Sequence, residues 1–223
     1  MHPDFDRFLF RAVAPAVVGM DGATIERRSL GLVDIPDGRV YACDPLVPTD
    51  SSPLTHRLRP GQYEVVLFVV VGERHGVAEA ETCNAAAALV CSTATPERWT
   101  SAAREGLPAD ACAYAVDSGT GAFLGTPALE LLVEADDAVG QAIIKALEET
   151  ASALVSIRSG VSVAAFKSGV GDGVYDTWLG LSADGEVALI LTDFDVLRSE
   201  DYVAGVHAEW ATRKSKSWWQ FWK

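Results

Sequence analysis

The sequence predicts an α+β fold in one domain: an antiparallel-rich sheet with a few packed helices. Three observations carry this. Residues 65–71 (VVLFVVV) and 187–191 (VALIL) are short apolar runs without polar alternation, as central strands covered on both faces require. Turn signals built on Gly, Pro and Asp divide the chain into short pieces. Only one stretch, 136–154, repeats apolar residues at helical spacing, through Val139, Ile143, Ala146, Leu147 and Leu154.

Along the chain, the opening MHPDFDRFLFRAVAPAVVGM carries Asp4 and Asp6 before its apolar part and Arg11 and Pro15 within it. A signal peptide needs a basic start and an unbroken apolar run, so the opening is expected to form a short first helix or strand pair, residues 1–30 a helical or irregular segment ahead of the core, and the protein is expected to be cytoplasmic. The Pro36–Gly38 turn precedes a short extended segment. Pro60 and Gly61 start the strand that contains 65–71. The alanine-rich stretch 73–93 shows no helical face and is expected to be extended. Thr95 as an N-cap, Pro96 at the first helical position and Gly106 as a stop predict a short helix. Residues 112–125 read as two short strands around a glycine turn. Beyond the helical stretch, strands flank Asp184-Gly185 as a hairpin, and a helix is expected over 199–211. The core is thus 31–197, followed by a C-terminal helix and tail over 198–223.

At 223 residues the chain can bury a substantial core, and 49% hydrophobic against 22% charged residues is an ordinary globular balance. With 31 acidic and 18 basic side chains, its net charge of -13 repels phosphate backbones, so nucleic acid is not an expected partner. The four cysteines, Cys43, Cys83, Cys91 and Cys112, form no CxxC and have no histidine at ligand spacing. They are expected to be reduced and buried.

Five segments, IPDGRVYACDPL, RPGQYEVVLFV, YAVDSGTGAFL, SGVGDGVY and LILTDF, occur in that order between about Gly31 and Phe194. In this the chain resembles the bacterial proteins grouped as domain of unknown function 4241. The resemblance implies a shared fold and shared glycine-aspartate loops, but no activity. It also marks a departure: where such sequences commonly have proline after the tyrosine of GDGVY, this chain has Asp176.

Two loops carry candidate chemistry. VDSGTG offers Asp117, Ser118, Gly119 and Thr120; GVGDGVY offers Gly171, Asp172, Gly173 and Tyr175. Each sets an aspartate beside glycines at a strand end, where the backbone is free to adopt positive φ and to approach another group closely. Asp193, Asp195 and Asp44 are further carboxylates next to apolar strands. If the loops converge they form an acidic pocket, in which Asp117 and Asp172 are candidate metal ligands for a divalent cation and a metal-bound water is the candidate nucleophile. The competing reading is structural, because aspartate beside glycine bends chains by accepting hydrogen bonds from nearby amides. Neither loop fits a calcium-binding, P-loop or dinucleotide pattern. No cofactor is expected beyond such a cation.

The tail RKSKSWWQFWK holds Arg213, Lys214, Lys216 and Lys223 with no acid, and Trp218, Trp219 and Trp222. Basic residues interleaved with tryptophan suit packing on the chain's own body, docking of a protein partner, or, as the least favoured use, contact with a membrane surface. Two functions therefore compete. One is an acidic protein-binding module of the immunity-like or regulatory kind. The other is a metal- or polar-ligand-dependent hydrolase or sensor using the glycine-aspartate loops. The first is favoured, because the sequence offers no base, nucleophile or complete ligand set, and an enzyme is not the expectation.

Overall fold

The computed structural model describes residues 16–17, 20–74, 80–134 and 138–198. Among the described residues the protein is mostly antiparallel sheet with two helices, and its strands form two sheets rather than one. In chain order the strands are β1 (Ala16–Val17), β2 (Met20–Ile35), β3 (Tyr41–Cys43), β4 (Gly61–Arg74), β5 (Ala80–Val90), β6 (Arg98–Ser101), β7 (Ala113–Val116) and β8 (Thr120–Leu124). Helices α1 (Thr126–Val133) and α2 (Ala138–Glu149) follow, then β9 (Ser152–Arg158), β10 (Val161–Lys167), β11 (Gly173–Leu181), β12 (Val187–Asp193) and β13 (Leu197–Arg198).

The larger sheet runs β13-β1-β2-β4-β5-β12-β11-β6, with β7 also pairing β11; the smaller runs β3-β8-β10-β9. The two apolar runs lie where their composition requires, β4 between β2 and β5, and β12 between β5 and β11. Between the sheets sits the main core, with Val33, Val65, Leu67, Ala87 and Ile190 from the larger meeting Phe123, Ala164 and Phe166 from the smaller. The far face of the smaller sheet, including Cys43, Leu124 and Val163, packs on Ile143 and Leu147 of α2 and Ala128 of α1. Ser162 ties the sheets together, accepting from the Asp34 amide at 2.9 Å and donating to Asp34 Oδ2 at 2.7 Å.

The Pro36 turn and the Asp184-Gly185 hairpin form as the sequence predicts; Gly38 and Gly185 hold φ of +73° and +81°. Residues 80–90 are extended as expected. Cys43 and Cys112 are buried, and Cys83 and Cys91 partly so.

Four expectations are corrected. The predicted helix from Thr95 is instead β6, because the residue before a proline prefers extended backbone and because Trp99 has a built seat. Its ring lies over Gly180 of β11, where a Cβ would come within 2.9 Å of it, and the Glu97 amide donates to the Leu181 carbonyl at 2.7 Å. The helix expected over 136–154 ends at Glu149. The Thr150 hydroxyl contacts the Ala146 and Ser152 carbonyls, and Leu154 belongs to strand β9. The sequence reading also missed α1, although Pro127 stands in its first turn. Finally, β2 begins at Met20, so the sheet starts inside the 1–30 segment that the sequence reading set apart from the core. The helix expected over 199–211 and the tryptophan tail lie outside the described residues.

Candidate functional site

The first loop is built on Asp44. Strand β3 ends at Cys43, so Asp44 enters the space between β3 and the β7–β8 turn, where it is 3% exposed. Its Oδ2 accepts from the amides of Asp117 and Ser118, both at 2.9 Å; its Oδ1 accepts from the Ser118 hydroxyl at 2.7 Å and the Leu46 amide at 2.9 Å. One buried carboxylate thus satisfies three backbone donors and a hydroxyl, which is how a buried charge is tolerated. Ser118 spends its hydroxyl here, Thr120 is buried, and the Asp117 side chain remains exposed. Gly119 completes the turn at φ +64°.

The second loop closes on itself. Ser168, fully buried, accepts from the Gly171 amide at 2.8 Å through its carbonyl and donates its hydroxyl to the Gly171 carbonyl at 2.9 Å. The Tyr175 hydroxyl, reaching back from β11, donates to the Gly171 carbonyl at 2.7 Å and contacts the Ser168 carbonyl at 3.3 Å. Its ring packs edge-on against Phe194 at 5.2 Å between centroids. Gly169 has φ +49°, and a Cβ there would fall 2.8 Å from Phe194 Cβ, so only glycine fits. This leaves Asp172 exposed and Val170 at the tip, 90% exposed.

The loops converge. The Ser168 amide donates to the Gly119 carbonyl at 3.0 Å, and a Cβ placed on Gly119 would lie 3.8 Å from Asp172 Oδ1. Gly173 pairs with Val116, bringing the ends of β11 and β7 together below the loops. On the other side, the Gly169 turn abuts Phe194, whose neighbour Asp193 accepts from the Asp195 amide at 3.0 Å. Asp195 itself adopts φ +56°, a left-handed conformation that aspartate tolerates better than most side chains. Burial raises the Tyr175 hydroxyl pKa above its ordinary value; the hydrogen bond to Ser168 opposes this, and the charges of Asp195 and Asp172 raise it further. Asp176 accepts from the Cys112 thiol at 3.5 Å. Burial and then the Asp176 charge push that thiol upward, away from reactivity.

Of the sequence candidates, Asp117, Ser118, Gly119, Thr120, Gly171, Asp172, Gly173 and Tyr175 therefore share one end of the molecule, with Asp193 at the adjoining strand end. Their roles differ: Ser118 and Tyr175 are hydrogen-bonded supports, Thr120 is buried behind the turn, and Asp117 and Asp172 face solvent. Among the described residues no group of three or more His, Cys, Asp or Glu is arranged to hold a metal ion. Trp218, Trp219 and Trp222 lie outside the described residues.

Sequence reasoning named Asp44 only as a nearby carboxylate and missed Arg104. This cation is 4% exposed, donates to the Ala42 carbonyl at 3.0 Å and stands 6.0 Å over the Tyr114 ring. No signal for it existed, because the residue lies in the segment expected to be helical.

Two antiparallel sheets with helices packed on the smaller, and glycine-aspartate loops gathered at one end, define a sheet-rich protein. The family described as Protein of unknown function (DUF4241) matches residues 33–192, most of the chain, and the protein belongs to it. No curated protein and no solved structure matches the chain. Among the described residues no helix is long and apolar enough to cross a membrane.

Proposed function

We propose that this is an acidic protein-binding module, of the immunity-like or regulatory kind, and that its partner surface is the loop end carrying Asp117, Asp172, Asp193 and Asp195. The observation that supports this reading most is the division of labour in the loops. The polar groups that shape them are satisfied internally, while the carboxylates of Asp117 and Asp172 and the apolar side chains of Val170 and Val174, 90% and 63% exposed, face outward. A rigid turn that presents carboxylate beside apolar surface suits a basic partner with an apolar centre. The net charge of -13 adds long-range attraction for such a partner and repulsion for nucleic acid.

Capture of binding proteins on the immobilised full-length chain tests this at low salt and at about 0.5 M salt, where the Debye length falls to roughly 4 Å. The expected result is a basic partner that is lost at high salt and lost on Asp117→Asn with Asp172→Asn. Capture indifferent to both salt and the two substitutions overturns the reading.

A further inference from the structure

Strand β9 ends the smaller sheet, and among the described residues nothing pairs with its outer edge. The Lys167 amide donates to the Ala151 carbonyl at 2.8 Å, which fixes the phase of the β9–β10 ladder: Ala153 and Val155 bond Ala165 and Val163. Ser152, Leu154 and Ser156 therefore turn their amides and carbonyls outward. The Ser152 carbonyl accepts from the Thr150 hydroxyl at 2.7 Å, while the outward groups of Leu154 and Ser156 have no partner among the described residues. Sheet edges are ordinarily guarded against a further strand by a proline, a charge, a bulge or a very short span. The edge strand β6 of the larger sheet has two of these, being four residues long and starting at exposed Arg98. Residues 152–156 of β9 have none. The bulge falls beyond them at Ile157, which is skipped where Val161 pairs with Arg158 and Ser162 with Ser156. Apolar side chains border the edge on both faces. Ala153, Val155 and Ile157 are half-buried on the helix side, and Leu154, 36% exposed, lies on the other, where a Cβ on Gly31 would stand 3.0 Å from it.

We propose that this edge binds a second copy of the chain, β9 pairing antiparallel with β9 about a two-fold axis at Leu154. The register follows from the bulge. The regular outward-bonding stretch 152–156 is symmetric about Leu154, so Ser152 of one copy faces Ser156 of the other and Leu154 faces its own counterpart, with two hydrogen bonds at each facing pair. The two Leu154 side chains, on the same face of the joined sheet, then cover each other's exposed surface. Charge selects a second copy over an arbitrary strand. Helix α2 ends in Glu148 and Glu149 with no basic residue in its last turn, the wrong sign for a helix C-terminus. Arg158 is exposed and has no ion-pair partner among the described residues. In this register Arg158 of each copy comes alongside Thr150 of the other, next to those two glutamates, and the complementary contact is made twice.

Sedimentation equilibrium of the full chain tests this in about 0.15 M salt, which screens the repulsion between two chains of net charge -13. A reversible monomer–dimer equilibrium is expected. Ser156→Pro removes an outward amide that β10 does not use, and should abolish the dimer while the monomer stays folded. A wild type that is monomeric at every concentration overturns the proposal, as does a dimer that Ser156→Pro leaves intact. A charge swap on exposed side chains guards against a fold disturbed by the proline. Arg158→Glu should weaken association several-fold, and adding Glu148→Lys with Glu149→Lys to the same chain should restore it; no weakening, or no restoration, overturns the proposal. Neither measurement involves the acidic loops, so this edge stands or falls apart from the partner surface proposed above.

Discussion

Replacing Asp44 by Asn is the sharpest probe of how the candidate surface is built, because the substitution keeps the shape and removes only charge and one acceptor. The carboxylate accepts four hydrogen bonds, two on each oxygen. An asparagine can keep its carbonyl toward the Asp117 and Ser118 amides and turn its amide toward the Ser118 hydroxyl, which then accepts. The Leu46 amide is left facing another donor. One buried donor without an acceptor costs about 1–3 kcal/mol, and each of the two retained bonds drops from a charged to a neutral acceptor, roughly another 0.5–1 kcal/mol apiece. The sum, about 3 kcal/mol, corresponds to a melting temperature lower by roughly 6–12 °C for a chain of this size. Urea unfolding should show a lower midpoint with an unchanged slope. Asp117→Asn, whose side chain is exposed, serves as the control and should stay within about 0.5 kcal/mol of wild type. If Asp44→Asn also stays within that margin, or if Asp117→Asn costs as much, the loop is not organised by Asp44.

Three further outcomes are expected. Gly169→Ala should destabilise by about 3 kcal/mol or more in chemical unfolding, because its Cβ would collide with Phe194; Gly119→Ala, which has room at 3.7 Å and meets only the unfavourable φ, should cost about 1–2 kcal/mol. Burial pushes the Cys43 thiol up to about 11 and the Cys91 thiol up to about 12. Thiols ionise in the unfolded chain from about pH 8.5 but in the native protein only above these values, so their stabilisation is complete below pH 8.5 and is lost as pH rises toward 11–12. Cys43→Ala should flatten the measured alkaline decline by about 1.4 kcal/mol per pH unit between roughly pH 9 and 11. Calcium, magnesium, manganese and zinc should each leave the wild-type melting temperature unchanged; a shift by one ion that Asp117→Asn and Asp172→Asn both abolish would restore the metal reading.

What the sequence revealed follows from which forces are local. The apolar runs in β4 and β12 announced buried strands because burial on both faces leaves a composition that no partner is needed to read. The hairpin at Asp184-Gly185 was equally local, set by turn chemistry. Thr95-Pro96 misled for the same reason: the cap signal is local, whereas the seat of Trp99 on Gly180 depends on a strand about eighty residues further on. The two site loops were recognisable from their glycines. Their meeting was not, since it depends on β7 pairing with β11, and the role of Asp44 depends on donors 73 and 74 residues away. Supports of this kind leave no periodicity in the chain.

The order of strands in the larger sheet also bears on how the protein is made. β5 pairs with β4 beside it in sequence but with β12 only across a long interval, Ala88 meeting Leu191. During synthesis the sheet must therefore wait with β5 as an open margin while the smaller sheet, its helices and β11 emerge. Open strand margins recruit other chains most readily when they are rich in β-branched and aromatic residues. This one presents Ala85, Ala86, Ala87 and Ala88, a run with weak strand preference and little surface to grip. A centre poor in side-chain bulk thus lets a nascent chain hold an unfinished sheet without offering neighbouring ribosomes' products a template.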